Sequence, residues 1–375
     1  MAAQRTSGVV VVGGGVIGLS AAWRLASEGV AVTVLERGEP GREASWAGAG
    51  ILNPGDPAHA STPFDRLMAL SSRLHAEWAG RLRELTGIDN GYRRCGAMSI
   101  ALRPEDRREI DAEAEHRRAE RIECRRLSGD EARRLEPALG PEVIAAWHYP
   151  GSAQVRNPWH LRAVAAAARQ AGVTVRSGCP ALRLLADGPR IAGVLTPEGP
   201  VSADAVLVAA GPWSEHLLAD AGVPTVRTRP VRGQIVLLNS PRPLPATIVE
   251  RGPMYVVPRP DGRLLIGSTE EDAGFRKANT PEAVAGLLDF ARRVVPGSAA
   301  ADFERAWSGL RPGNADGRPY IGAVAAHPGL YVAAGHLRNG LQLSTGTAEM
   351  ITALILGRTP PVAEDAFRPD RPGRV

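Results

Sequence analysis

The sequence predicts a two-domain chain: an α/β domain built on a parallel sheet, joined to an α+β domain built on an antiparallel sheet. Three observations predict it. Residues 9 to 36 read as strand, glycine-rich turn, helix and second strand. From Arg229 to about Gly274 short strands alternate with turns. The length, 375 residues, divided by roughly 150 per domain, gives two domains.

Composition narrows the class. Apolar residues make up 44% and charged residues 23%, ordinary for a globular chain able to bury a full core. Net charge is 45 − 40 = +5, and the basic side is one lysine, Lys277, against forty-four arginines. No Gly-Lys-Ser/Thr occurs, which excludes a Walker phosphate loop, and pyridoxal Schiff-base chemistry has one candidate residue. The arginine excess reads as coding bias rather than as a nucleic-acid signal. Cys95, Cys124 and Cys179 are odd in number and widely spaced, so neither a zinc site nor a disulfide framework is expected. No stretch reaches the roughly 18 apolar residues of a membrane span. Residues 1–22 imitate a secretory signal, but a buried strand entering a glycine turn and a helix writes the same letters. The chain reads as cytoplasmic, with no metal.

Val9 to Val12 is a β-branched run too short for a helix and apolar on both faces, as a central parallel strand should be. It runs into Gly13-x-Gly15-x-x-Gly18; a helix follows from Leu19 to Glu28, Gly29 stops it, and a strand from Val30 to Leu35 ends at Glu36. The unit is Rossmann-like. Gly13 permits the tight turn, Gly15 lets the backbone approach a pyrophosphate, and Gly18 allows close helix–strand packing. Free N–H groups at the helix start, around Val16 and Ile17, face the phosphates. Glu36, followed by Arg37, can accept both ribose hydroxyl hydrogens. A plain parallel strand with a glycine-rich turn would leave Glu36 unexplained.

A second small-residue stretch follows, from Glu43 through Ala44, Ser45, Ala49, Gly50 and Ile51 to Leu52. Small side chains there let the backbone approach a bulky planar ring. With the Val12 to Gly18 turn, the Ser45 to Leu52 stretch and three C-terminal blocks described below, the sequence resembles the D-amino-acid oxidase superfamily of flavoproteins, in its glycine oxidase branch, over nearly the whole chain. The resemblance implies FAD, a flavin domain assembled from separated segments, and oxidation of a primary or secondary amine.

Residues 103–136 hold ten arginines against eleven acids; near balance favours a solvated helical face over an RNA-binding helix. Asn157-Pro158 starts a helix from Trp159 to Ala171, and Val173 to Val175 follows as a strand. The resemblance places Pro180-Ala181 near the adenosine. Asp204 to Gly211 reads as a buried strand, and the resemblance places the turn at its end beside the cofactor. Arg232 to Leu238, Tyr255 to Pro258 and Leu264 to Gly267 read as antiparallel sheet. The expected flavin domain is 1–88, 146–226 and 304–375; the substrate domain is 89–145 and 227–303.

Three blocks carry chemistry. Tyr255, in Arg251 to Arg259, reads either as a core strand tyrosine or, by resemblance, as a contact to the substrate carboxylate. Arg311 follows an apolar run and precedes Pro312-Gly313, so it should project from a loop at a strand end. Its planar fork matches a carboxylate bidentately. In the third block a strand ends at Ala333, and the turn His336-Leu337-Arg338-Asn339-Gly340-Leu341-Gln342 opens a helix. Its N–H groups would face a flavin carbonyl that gains charge on reduction. Arg338 resembles a second active-site arginine. His336 reads as a loop histidine packed near the cofactor rather than as a base.

Relatives with covalent flavin use a cysteine near the last block or a histidine near the first small-residue stretch. The cysteines here all precede residue 180, and the nearest histidine is His59, so non-covalent FAD is expected. Glu270 stands where an apolar residue is expected in the closest relatives. Either it brings a carboxylate to the amine side of the pocket or it turns outward with Glu271 and Asp272.

The resemblance thus implies oxidative deamination of glycine, other small amines or D-amino acids to the 2-oxo acid, ammonia and hydrogen peroxide, with dioxygen as acceptor, and a supply of imine for the thiazole of thiamine. Tyr255, Arg311 and Arg338 would hold the substrate with its Cα–H over flavin N5. No nucleic-acid partner is expected, and a homo-oligomer is compatible with the sequence. Rival readings are a D-amino-acid dehydrogenase passing electrons to a quinone, an RNA-nucleoside-modifying flavoprotein and a nicotinamide dehydrogenase.

Overall fold

The computed structural model describes residues 4–5, 8–240 and 244–371. A six-stranded sheet runs in the order Thr174–Arg176, Val32–Leu35, Val9–Val12, Ala205–Val208, Leu330–Ala334, Tyr320–Ala323. The first five strands are parallel and the last is antiparallel. Val9–Val12 and Ala205–Val208 are buried at every position, because both faces of the sheet are covered. Helices Val16–Ser27, Pro63–Thr86, Asn157–Gln170 and Gly340–Ile355 pack on one face around Trp23 and Leu19. A small sheet that includes Arg183–Asp187, Arg190–Thr196 and Gly199–Ser202 covers the other.

The first helix begins at Val16 rather than at the expected Leu19, because the turn closes at Gly15, its N-cap. Helix Pro63–Thr86 was not anticipated, although its ends are written locally. Thr62 accepts the Asp65 N–H at 3.2 Å, proline occupies the first turn, and Gly87 stops the helix at φ 71°.

The second sheet has eight strands, in the order Asp302–Gly313, Arg229–Asn239, Arg263–Gly267, Met254–Pro258, Ile248–Arg251, Ala97–Ala101, Ala145–Tyr149, Arg125–Ser128. All its pairs are antiparallel except Ile248–Arg251 with Ala97–Ala101. Helix Pro281–Val294 buries Leu287, Phe290 and Val294 against one face. The charged helix Pro104–Ala119 lies on the other face near the far edge, with Ile110 and Ala114 packed on Ala101 and Trp147; most of its charges are solvated, as its balanced composition implied.

Two expectations are corrected. Ala145–Tyr149 and Asp302–Gly313 are strands of the eight-stranded sheet, so boundaries at 146 and 304 cut through both. Arg311 does not project from a loop: it lies within Asp302–Gly313, opposite Val231. The strand continues through Pro312 because the proline lies opposite Pro230 near the strand's end, where ladder donors are no longer required.

Candidate active site

A cavity of about 760 Å³ lies between the two sheets. At one end the glycine turn forms its floor. Gly13 has φ +109°, and a Cβ there would strike the Ala209 carbonyl; a Cβ on Gly18 would strike the Gly13 carbonyl. These positions require glycine, one for the turn and one for the packing. Gly15 faces the cavity and caps the helix, whose Val16 N–H donates to Ser45 Oγ at 2.9 Å. The Glu36 carboxylate accepts from Gly14 N–H at 2.8 Å and Gly38 N–H at 2.9 Å, which fixes it at the end of its strand on the cavity wall.

The small-residue stretch runs along the same wall: Ala44, Ser45, Ala49, Gly50 and Ile51 all line it. Two side chains hold this stretch in place. Asn157 donates to the Ser45 carbonyl at 2.7 Å, and buried Arg259 donates to Ala49 O at 2.6 Å and Val155 O at 3.0 Å. Ala181 lines the cavity beyond Glu36, and Arg37 lies over the Trp213 ring at 3.5 Å.

The third block closes the opposite wall, where His336, Leu337, Arg338, Asn339, Gly340, Leu341 and Gln342 all line the cavity. His336 is 2% exposed and its Nε2 pairs with Thr347 Oγ1 at 3.1 Å. Burial pushes its pKa down to about 3, so it stays neutral and packs beside the site. Gln342 brackets Asn53, accepting its N–H and donating to its carbonyl, both at 3.0 Å.

Arg311 and Tyr255 stand on the cavity-facing side of the eight-stranded sheet. Alternation along each strand sets this, since Leu310 and Val256 are buried on the helix side or in the core. The Arg311 guanidinium donates to Ser268 Oγ at 2.6 Å and Thr269 O at 3.2 Å, and among the described residues no carboxylate pairs with it. Burial pulls its pKa below the usual arginine range, and the same burial pushes the Tyr255 hydroxyl up. A half-buried guanidinium on a cavity wall, with no anionic partner among the described residues, is costly unless an anion reaches it.

Arg338 and Glu270 sit at the rim. They form an ion pair with each other, the side chains being 48% and 36% exposed. Glu270 does not line the cavity: of the two readings open for it, the pocket-facing carboxylate falls, and it turns outward to meet Arg338. Glu271 turned inward instead, accepting from Arg232 Nε at 3.0 Å and Gln234 Nε2 at 2.8 Å. Ser268, Asn157, Arg259 and Glu250 complete the site and were missed by sequence reading. Glu250 could have been found: with Gly252-Pro253 as a two-residue turn, register places it directly opposite Tyr255.

The residues present fit a dinucleotide: a glycine cradle with an unobstructed approach at Gly15, an acid at the second strand's end, and small residues beyond. Fold and cavity define a two-domain dinucleotide-dependent oxidoreductase. Residues 8–354 match the family described as FAD dependent oxidoreductase, and the chain belongs to that family. Its cofactor is FAD. Among curated relatives, a glycine oxidase from Pseudomonas putida is 36% identical over 96% of this chain and 98% of its own length. One from Pseudomonas aeruginosa is 38% identical with the same coverage. The bifunctional protein ThiO/ThiG of Synechocystis sp. is 34% identical over 98% of this chain and 54% of its own length. Among solved structures, glycine oxidase from Geobacillus kaustophilus superposes with a TM-score of 0.93 at 33% identity, covering 97% of this chain and 98% of that one. Iminodiacetate oxidase from Chelativorans sp. superposes with a TM-score of 0.84 at 28% identity, covering 97% of this chain and 100% of that one.

Proposed function

We propose that the enzyme oxidises glycine, together with other small amines and D-amino acids, to the 2-oxo acid, ammonia and hydrogen peroxide. The observation that carries this reading is the half-buried Arg311 guanidinium, which has no carboxylate partner among the described residues and faces a cavity whose other end suits FAD. Arg311 holds the substrate carboxylate in a bidentate fork, Tyr255 bounds it, and Arg338 closes the rim. The chain's work is positioning: carboxylate and enclosed walls fix the Cα–H and exclude bulk water. Bound FAD would supply the two-electron acceptor for this chemistry: the Cα–H bond breaks with its electron pair, the nitrogen lone pair forms the C=N bond of the imine, and the nitrogen gives up a proton. Water then replaces the nitrogen, and dioxygen takes the electrons as peroxide.

The flavin is held without a covalent bond; none of Cys95, Cys124 and Cys179 lines the cavity, which supports this. Glycine-oxidase relatives support the substrate class, and the ThiO/ThiG relative supports a place in supplying imine to the thiamine thiazole. Among the described residues no helix is long and apolar enough to cross a membrane; we place the enzyme in the cytoplasm. Peroxide release under air on adding glycine is the test. Flavin bleaching by glycine with no peroxide would replace the oxidase by a dehydrogenase, and no flavin reduction by any amine would reject the reading.

A further inference from the structure

The clamp uses one end of the substrate wall, and the other end carries an acid that the proposed chemistry leaves unused. Glu250 pairs across the ladder with Tyr255 on one side and Ser99 on the other. Directly opposed residues project to one face of a sheet, and all three line the cavity. Helix Pro104–Ala119 packs on the neighbouring strands Ala97–Ala101 and Ala145–Tyr149, and its Glu109 and Glu113, one turn apart and exposed, also line the cavity. From the clamp outward the wall therefore reads Arg311, Tyr255, Glu250, then Glu113 and Glu109.

The helix is pinned in that place. Asp106, at its start, accepts from Arg251 Nη2 at 2.8 Å and Nε at 2.9 Å. Arg251 adjoins Glu250, so one strand fixes the helix with one residue and offers a carboxylate to the cavity with the next.

Glu250 is half-buried on the cavity wall, and among the described residues its carboxylate makes no hydrogen bond or ion pair; the charges it feels most are Glu113 and Arg117. Arg117 is engaged with Glu113 at 3.5 Å and with the Pro54 carbonyl at 3.5 Å. Burial, with Glu113 beside it, pushes the Glu250 carboxyl up to about 7. Tyr149, 5% exposed on the same face of the sheet, has a hydroxyl with no hydrogen-bond partner among the described residues and lies within electrostatic reach of both acids. A half-buried carboxylate without a partner is costly unless something cationic arrives. Its accessible surface faces the cavity, which is where such a partner would come from.

We infer that Glu250 forms an anionic subsite that receives a cationic nitrogen of the substrate, approached past Glu113 and Glu109, and that it excludes substrates with a second carboxylate. The inference rests on the reading of Arg311 as the carboxylate clamp. The cation is either the reacting ammonium or a basic group on the substrate's side chain; the recognition chemistry is the same.

The test compares holoenzyme and Glu250→Gln with glycine, D-alanine, D-lysine and D-aspartate. Wild type should use D-aspartate at least tenfold less well than D-alanine by kcat/KM, and Glu250→Gln should narrow that gap about tenfold. If the reacting ammonium is the cation, KM for glycine rises about tenfold in Glu250→Gln while kcat moves less. If a side-chain cation is held, glycine is little changed and D-lysine loses the tenfold. Either pattern supports the subsite. Glu113→Gln, exposed and tolerant, should shift the D-aspartate ratio in the same direction by a smaller factor, which keeps the test open if Glu250→Gln misfolds. Kinetics of all four substrates within twofold of wild type in both variants overturn the subsite. Titration without oxygen reads binding through flavin absorbance even where turnover fails, so a wrong oxidase reading and a wrong subsite give different results.

Discussion

Arg311 lies across Gly233: a Cβ at that glycine would overlap the guanidinium carbon and both terminal nitrogens. Gly267 stands in the same relation to the Tyr255 hydroxyl. The proposed substrate clamp is therefore laid flat on the sheet over two positions that have no side chain. Removing Arg311 as alanine should leave FAD bound and lower kcat/KM for glycine by roughly 30-fold or more, since truncating one partner of a buried charge pair costs about 2–5 kcal/mol. Unchanged kinetics with full flavin content would place the carboxylate elsewhere.

Gly233→Ala tests the bed rather than the clamp. The added methyl must push the guanidinium off its seat against Ser268 and Thr269. KM for glycine should rise roughly tenfold, because a displacement of about 1 Å is enough to disrupt positioning, while flavin content and Tm stay close to wild type. Equal losses in Tm and activity would make Gly233 a folding position only.

The cofactor prediction concerns Glu36. Purified protein should be yellow, and acid precipitation should leave the colour in the supernatant. Glu36→Gln keeps the shape but loses the charge that accepts ribose hydroxyl hydrogens, and charge-assisted bonds are roughly twice as strong as neutral ones. Dialysis should strip FAD from this variant faster than from wild type. Colour retained in the pellet would mean a covalent link.

Glu270 meets Arg338 at an exposed rim, where ion pairs contribute little. Replacing Glu270 with methionine should alter kcat/KM for glycine by less than about threefold, and should not open the enzyme to D-phenylalanine. Peroxide assays on both substrates decide it; a large gain with D-phenylalanine would return Glu270 to the pocket.

Asp106 anchors the helix that carries Glu109 and Glu113. Two Arg251 donors and the N–H groups of Leu102 and Arg103 hold its carboxyl down to about 2. The folded value lies below the unfolded one of about 4, so the stabilisation is present at neutral pH and is lost as pH falls from about 4 to about 2. Asp106→Asn should lower stability by about 2 kcal/mol at neutral pH, the scale of a hydrogen-bonded charge. The gap between the two melting curves should close through that acid window; a gap constant with pH would exclude the ion pair as its source.

Local patterning determined much of this protein. The run Val9 to Val12, the three glycines and Glu36 specify strand, turn, helix and strand-end acid within one continuous segment, because each depends on nearest neighbours along the chain. The hairpin around Gly252-Pro253 likewise fixed which residues face each other. What only the tertiary structure decided were matters of distance across the fold. Arg311 lies flat on the cavity wall, where we propose it acts as the clamp, because Gly233 and Ser268, remote in sequence, provide its seat. The outward turn of Glu270 and the inward turn of Glu271 depended on where Arg338 and Arg232 ended up. Domain edges at 146 and 304 failed for the same reason. Strand pairing is settled by partners many residues away, and a chain read locally does not contain the register of its neighbours.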